Sequence, residues 1–418
     1  MAVSSTATRI VRGSLVALLA FHGCVAPEDE PEASAGSAAI REIEWPAAGG
    51  AFAPHLAADG DGLLLTWLEV FEADDETDGH RLRYARYEGG GWSAVSTVAE
   101  GSDFFANWAD VPSVARSGDG SLVAHWLAKS GGETYAYSIE LARSTDEGAT
   151  WQRLGRLNDD NALDQEHGFV TFVPEGDALR AFWLDGRQMA ADGPMSVRSA
   201  LVTDGVGPSE EVVDRVCECC PTGGAATSEG AVIVYRGRSE AEVRDFYAVR
   251  REAGGWGDPV GVAEDGWQIP GCPVNGPGVE ANGDALAVAW FTAANEAPRV
   301  RAAFSSDAAR NFGPAITVDD GRPLGRVDLA LLGPEEAIVS WLAVPEDDRA
   351  QVNLRRVGAD GTTGEPLTLA ETGSGRSSGY PELERLGDSL YVAWVETAGD
   401  SPSKVWLAEV PIGLVPGP

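Results

Sequence analysis

The sequence is short of the residues that most often carry metal and redox chemistry. In 418 residues it has three methionines, five histidines and five cysteines. Positive charge is short too. Lysine and arginine together number 31 against 65 aspartates and glutamates, a formal net charge of −34. A chain this acidic repels phosphate backbones and anionic lipid surfaces, which argues against nucleic-acid binding and against membrane docking by charge. Beyond the N-terminal segment no apolar run approaches the roughly 20 residues that span a bilayer. Helical periodicity sustained over about ten residues is missing. So are a phosphate-binding P-loop, a glycine-rich dinucleotide turn and a G-x-S-x-G nucleophile elbow. What is plentiful is glycine (51) and tryptophan (13), in a chain that is 44% hydrophobic. That combination describes a turn-rich all-β protein with a large core and excludes global disorder.

The N-terminus reads as an address. Arg9 and Arg12 precede an apolar run from Gly13 to Phe21, too short to cross a bilayer but suited to a secretory signal over residues 1–23. The run ends Phe21-His22-Gly23-Cys24. This resembles a bacterial lipobox, in which cleavage precedes a cysteine that becomes lipidated, with His22 where a small residue is usual. Cys24 is the expected lipidation site; the alternative is an ordinary signal peptide with an incidental cysteine. Pro27 to Ser37 is acidic, rich in Pro, Ala and Ser, and aperiodic, so residues 24–38 are expected to form a disordered tether. The implied location is the bacterial cell envelope, exported and lipid-anchored to the outer membrane or cell surface. Val25 follows Cys24 and gives no signal for retention at the inner membrane. The lipid is the one membrane contact expected.

Downstream, one unit recurs. A short strand ending in an aromatic appears as LLLTW (Trp67), LVAHW (Trp126), LRAFW (Trp183), VIVY (Tyr235), LAVAW (Trp290), AIVSW (Trp341) and LYVAW (Trp394), at spacings of 51 to 59 residues. Each copy follows a Gly/Asp turn with another strand upstream and one or two downstream. Four short strands per unit, repeated, are the blades of a β-propeller. Residues 39–418 hold seven units. The last unit ends one strand short, and a spare strand, Ile40 to Trp45, precedes the first. It should complete the last blade and close the ring, removing two sheet edges. The expected fold is an all-β, seven-bladed β-propeller closed by an N-terminal strand; two stacked sandwiches fit the even spacing less well.

Ser144-Thr145-Asp146-Glu147-Gly148-Ala149-Thr150-Trp151 matches the pattern S-x-D-x-G-x-T-W at every fixed position. Ser305 to Phe312 is an eroded second copy, with weaker echoes ending at Trp92 and Trp256. The repeat region therefore resembles the sialidase (BNR, Asp-box) superfamily of propellers. The motif is structural and does not specify chemistry. The resemblance offers a six-bladed sialidase-type ring as the alternative to seven blades. It also implies an exo-sialidase type of glycoside hydrolase, with an arginine trio, a Tyr–Glu nucleophile pair and an aspartate acid. The Arg-Ile-Pro motif usual for the first arginine does not occur.

Propeller geometry brings the loops that lead into the innermost strands, and those after the second strands, to one face around the axis. Arg187, Arg236, Arg238, Arg326 and Arg376 fall there, with Asn275 and Trp108. They are candidates for binding an acidic glycan or another carboxylate-bearing ligand through paired hydrogen bonds; the other reading is that they staple blades together. Tyr380 sits where the sialidase nucleophile lies. Glu242, with Glu69 or Glu296 as alternatives, is the candidate base, and Asp110 or Asp185 the candidate acid. A non-catalytic carbohydrate- or protein-binding propeller is the competing function. A monomer is expected, with no cofactor.

Four cysteines remain: Cys217, Cys219 and Cys220 in Cys-Glu-Cys-Cys-Pro, and Cys272 in Gly-Cys-Pro. Cys220 and Cys272 lie one repeat apart, so the two loops should touch. In an oxidising envelope, two disulfides are the first expectation, one of them from Cys272 to the Cys-Glu-Cys-Cys loop and one within that loop. The alternative is a copper or zinc site, or a redox module, on Cys217, Cys219, Cys220 and Cys272 with His167 as a further ligand.

Overall fold

The computed structural model describes residues 39–47, 50–74, 77–160, 163–345, 349–397 and 402–418. The expected signal peptide, the Cys24 lipidation site and the acidic tether lie outside the described residues. No helix among the described residues is long and apolar enough to cross a membrane.

Described residues form seven antiparallel sheets of four or five strands, each built from strands consecutive in sequence except for one. The exception is the closure. Arg41–Ile43 pairs antiparallel with Lys404–Pro411, placing Arg41 opposite Glu409 and Ile43 opposite Leu407. The seventh sheet is thus completed from the N-terminus. The ring has seven blades, and the six-bladed alternative does not apply.

Local chemistry explains the blades. Six of the seven innermost strands turn into the second strand through two residues, as in Asp59 opposite Gly62, Glu175 opposite Ala178 and Asn282 opposite Ala285. Tight hairpins of this kind need positive φ, which Gly60, Gly176 and Gly283 supply at 59°, 60° and 64°. The second strands carry the repeated aromatics, and all seven are at least 91% buried. Each belongs to a different apolar cluster between adjacent blades: Trp67 between blades seven and one, Trp126 between one and two, and so on to Trp394 between six and seven. One large ring per junction, removing about 150–250 Å² of surface from water, is the main term holding the blades side by side.

The Ser144–Trp151 turn joins the third strand of blade two (Tyr137–Ser144) to the fourth (Gln152–Arg156). Ser144 Oγ accepts the Gly148 N–H at 2.9 Å, Asp146 Oδ1 accepts the Thr150 N–H at 2.9 Å, and Trp151 Nε1 donates to Gly148 O at 3.0 Å. Ser305, Asp307 and Asn311 repeat the arrangement in blade five. The final innermost strand begins at Glu382, directly after Pro381, which has no N–H to give to a ladder.

Candidate functional site

A cavity of about 320 Å³ lies on the ring axis, and every blade contributes to its wall. Its polar lining includes His55 from blade one, Asp110 and Ser113 from blade two, Thr171 from blade three, Thr222 from blade four, Asp328 from blade six, and Tyr380, Glu382 and Glu384 from blade seven. Asp110 is 2% exposed. Its Oδ1 accepts the Phe169 N–H at 2.8 Å, linking blades two and three, while Oδ2 has no hydrogen-bond partner. Burial pushes this carboxyl well above the usual range, the Phe169 N–H opposes the shift, and Glu166 adds to it. Burial thus favours the protonated form of Asp110. Gly168 makes the close approach feasible, since any Cβ there would collide with the Asp110 carboxyl.

Asp328 accepts the N–H groups of Leu329 and Leu383, both at 2.8 Å, and burial raises it to about 7, with Glu280 adding charge repulsion. Burial also lifts Glu382 and Glu384 well above the carboxylate range, and Asp328 reinforces both. His55 is lowered to about 4 by burial. The axial cavity is therefore lined by carboxyl groups whose burial favours the protonated form and by an imidazole whose burial favours the neutral one.

Tyr380 joins the cavity to the rim. Its hydroxyl donates to Val274 O at 2.7 Å, and its ring stacks on Trp108, centroids 6.1 Å apart at 19°. The Arg326 guanidinium lies 4.8 Å from the Trp108 ring centre on the cation–π side. Trp108 is also one wall of a second cleft, of about 530 Å³, lined by Phe52, Phe105, Asn107, Tyr135, Ser377 and Gly379. Phe105 stacks on Tyr137 at 4.1 Å, and Tyr135 is 60% exposed.

The five candidate arginines do not converge on a free site. Arg187 holds Asp185 through Nε to Oδ1 at 2.6 Å and Nη2 to Oδ2 at 2.8 Å, and also reaches Asp159. Arg236 is 2% exposed and gives its donors to the carbonyls of Arg244, Asn275 and Phe291, between the rings of Phe246 and Trp267. Arg238 pairs with Glu242 and Glu218. Arg326 donates to Gly375 O, Ser378 Oγ and Gly379 O. Asn275 accepts the Arg326 N–H at 2.6 Å and donates to Pro273 O. Four of the five are staples within and between blades; Arg376 alone of the five is exposed.

The expected catalytic pairing is likewise not assembled. Glu242 accepts from Arg238 and Arg244, which bring its carboxyl down to about 2, and it is not bonded to Tyr380. Burial pushes the Tyr380 hydroxyl up, away from the phenolate form. Glu69 is held by Trp67 and Arg83, and Glu296 is exposed on a positive-φ turn. Asp185 is fully buried, bonded to Trp183 and Arg187, and absent from the cavity wall.

The cysteine loops do touch. Cys219 is bonded to Cys272 across blades four and five, with Cα atoms 6.0 Å apart. Cys217 and Cys220 are buried free thiols, so the second disulfide expected within the loop is not formed. Burial opposes ionisation of Cys217, but the Cys220 thiol, the Cys219 N–H, Arg236 and Arg244 outweigh it and bring Cys217 down to about 6. Burial and the neighbouring Cys217 push Cys220 up. His167 does not join this cluster. Its Nε2 faces Asp160 Oδ2 at 3.1 Å and Asp185 Oδ2 at 3.8 Å.

Glu382, Glu384, His55, Phe105 and Tyr135 were not among the candidates from sequence. The glutamates alternate with Leu383 in an innermost strand, and period two sends both to the axis.

No family model matches the sequence, and no curated protein matches it. Solved structures do. A polysaccharide lyase of a new family, PL25 ulvan lyase, shares 11% identity over 89% of this chain and 96% of that chain, with a TM-score of 0.57. The polysaccharide lyase Uly1 shares 11% over 86% of this chain and 90% of that chain, with a TM-score of 0.50. A Trypanosoma rangeli sialidase in complex with the inhibitor DANA shares 12% over 74% of this chain and 56% of that chain, with a TM-score of 0.45. At these identities the lyase likenesses establish a shared propeller fold.

Proposed function

We propose that this protein is an exported propeller that binds a glycan on the rim face, with a sugar ring over Trp108 and the end of the chain at the axial cavity. The observation that carries this reading is the continuity of the two hollows. Trp108 walls the aromatic cleft and stacks on Tyr380, which lines the cavity. Flat aromatic faces suit the C–H faces of sugars, and buried carboxyl groups suit sugar hydroxyls. The fold neighbours described as polysaccharide lyases, one of them bound to -[GlcA(1-4)Rha3S]-, support a glycan as the ligand class.

The finer expectation of an acidic glycan rests on Arg376, an exposed cation beside the cleft residue Ser377. Binding without sialidase-type turnover is favoured, because Tyr380 and Glu242 are not bonded to each other. Export and lipid anchoring at the cell envelope, with Cys24 as the lipidated residue, stay part of the proposal on the strength of the N-terminal sequence. The protein acts as a monomer in this reading.

The test is a panel of neutral and acidic polysaccharides offered to the purified protein, with binding and products followed together. Saturable binding that weakens about tenfold in Trp108→Ala, without release of sialic acid or unsaturated sugar ends, is the expected result. Turnover of an α-sialoside that is lost in Tyr380→Phe would replace binding by hydrolysis, and no binding to any member would remove the proposal.

A further inference from the structure

The glycan reading leaves the two buried free thiols without a role. We propose that Cys217 and Cys220 together hold a soft d10 cation, copper(I), as a two-coordinate bis-thiolate site at the junction of blades four and five. The sulfur atoms of Cys217, Cys219 and Cys220 all lie within 4.8 Å of one another, and both free thiols are only 1% exposed. Spacing of this order lets one small ion bridge two sulfurs with little movement of the loop.

The surroundings are arranged for sulfur that carries negative charge. Arg244 Nη1 lies 3.2 Å from Cys217 Sγ. The backbone N–H of Cys219 points at the Cys217 sulfur, and that of Asn275 at the Cys220 sulfur. Arg236, whose guanidinium is bonded to backbone carbonyls and to no carboxylate, adds a second fixed positive charge nearby. Donors aimed at ligand sulfurs fix their orientation and stabilise the thiolates. Two thiolates and one copper(I) carry a net charge of −1, which the Arg236 guanidinium compensates, Arg244 being paired with Glu218 and Glu242.

Ligand count decides the metal. Zinc takes four ligands in a structural site. Among the described residues the cluster holds three sulfurs and no histidine or carboxylate, and the Cys219 sulfur is already bonded to Cys272. His167 is held by Asp160, and Glu218 by Arg238 and Arg244. Two thiolates satisfy copper(I), a soft ion that selects sulfur. The step is a substitution without electron transfer: both S–H bonds break, two protons pass to solvent, two Cu–S bonds form, and the Cys219–Cys272 bond stays intact.

The test uses the purified, unreduced full chain. Copper(I), supplied as its acetonitrile complex under nitrogen, is titrated against a copper(I)-specific chelator, and X-ray absorption reads the ligands. About one tightly held equivalent with two sulfur ligands, displaced by silver(I) and not by zinc, is expected. Cys217→Ser and Cys220→Ser should each weaken retention at least about a hundredfold, with thermal unfolding run alongside to show that the variants fold. The wild-type X-ray spectrum stands on its own if they do not. The proposal is overturned if the chelator takes all the copper, if nitrogen or oxygen ligands dominate the spectrum, or if alkylation mapping of the unreduced chain finds Cys217 and Cys220 already bridged.

Discussion

Arg236 ends the second strand of blade four and Arg376 lies in the loop that enters blade seven; one is sealed in a blade junction on three carbonyls and the other lies in solvent. Arg236→Lys is expected to lower stability by about 2–4 kcal/mol, because a lysine cannot reach three carbonyls and leaves buried acceptors unpaired. Denaturant unfolding measures that cost, and an unchanged midpoint would contradict the stapling role. Arg376→Ala should leave the midpoint alone and weaken only acidic ligands. The axial carboxyls give a pH signature. Asp328 has a raised value in the folded state, so the stability it lends is complete below its ordinary value of 3.8 and is lost as pH rises through about 7. Asp110, Glu382 and Glu384, also raised, act in the same direction. Cys217, brought down to about 6, acts oppositely above that value. His55 and His125, lowered to about 4 and about 3, oppose the carboxyls only below the ordinary imidazole value of 6.5. Asp328→Asn, which has no carboxyl to titrate, should therefore flatten the fall in melting temperature between about pH 5 and 7 relative to the unsubstituted chain. A variant that kept the slope of the unsubstituted chain over that range would contradict the raised Asp328 carboxyl.

At the scale of elements, the closing strand and the Ser144–Trp151 turn carry separate loads. Trp45 follows the closing strand and packs edge-on to Trp67 and Trp92, 5.5 and 5.9 Å away. Trp45→Ala should cost about 3–5 kcal/mol of stability, read by denaturant unfolding, without touching ligand affinity. Gly148 adopts φ of 81°, and a Cβ there would strike the Tyr84 ring of blade one. Gly148→Ala should cost about 2–4 kcal/mol through overpacking and backbone strain together. The elements themselves were legible in the chain because each signal is local: period two, a glycine turn, an aromatic at a fixed place. The partner of a side chain across a blade junction is not local. Whether an arginine meets a carbonyl of the next blade or open solvent depends on placement within a few ångströms, which repeat position does not encode. The same limit hid the choice of Cys219 as the partner of Cys272.

At the scale of the whole molecule, seven aromatics at seven junctions close the ring, and closure gathers residues as distant as His55 and Glu384 around one axis. Blade number and closure followed from counting strands at both ends of the chain. The axial carboxyls were readable in principle from alternation in Pro381-Glu382-Leu383-Glu384, whereas the cleft of Phe52, Phe105 and Tyr135 depends on three blades meeting and has no linear signature. Glycan recognition at the rim is tested most directly by a crystal structure with the tightest-binding oligosaccharide of the panel. The expected density is a sugar ring over Trp108 with the chain end toward Tyr380 and Asp110. An oligosaccharide seated on the outer wall, or on the face of the Ser144–Trp151 turn, would contradict it.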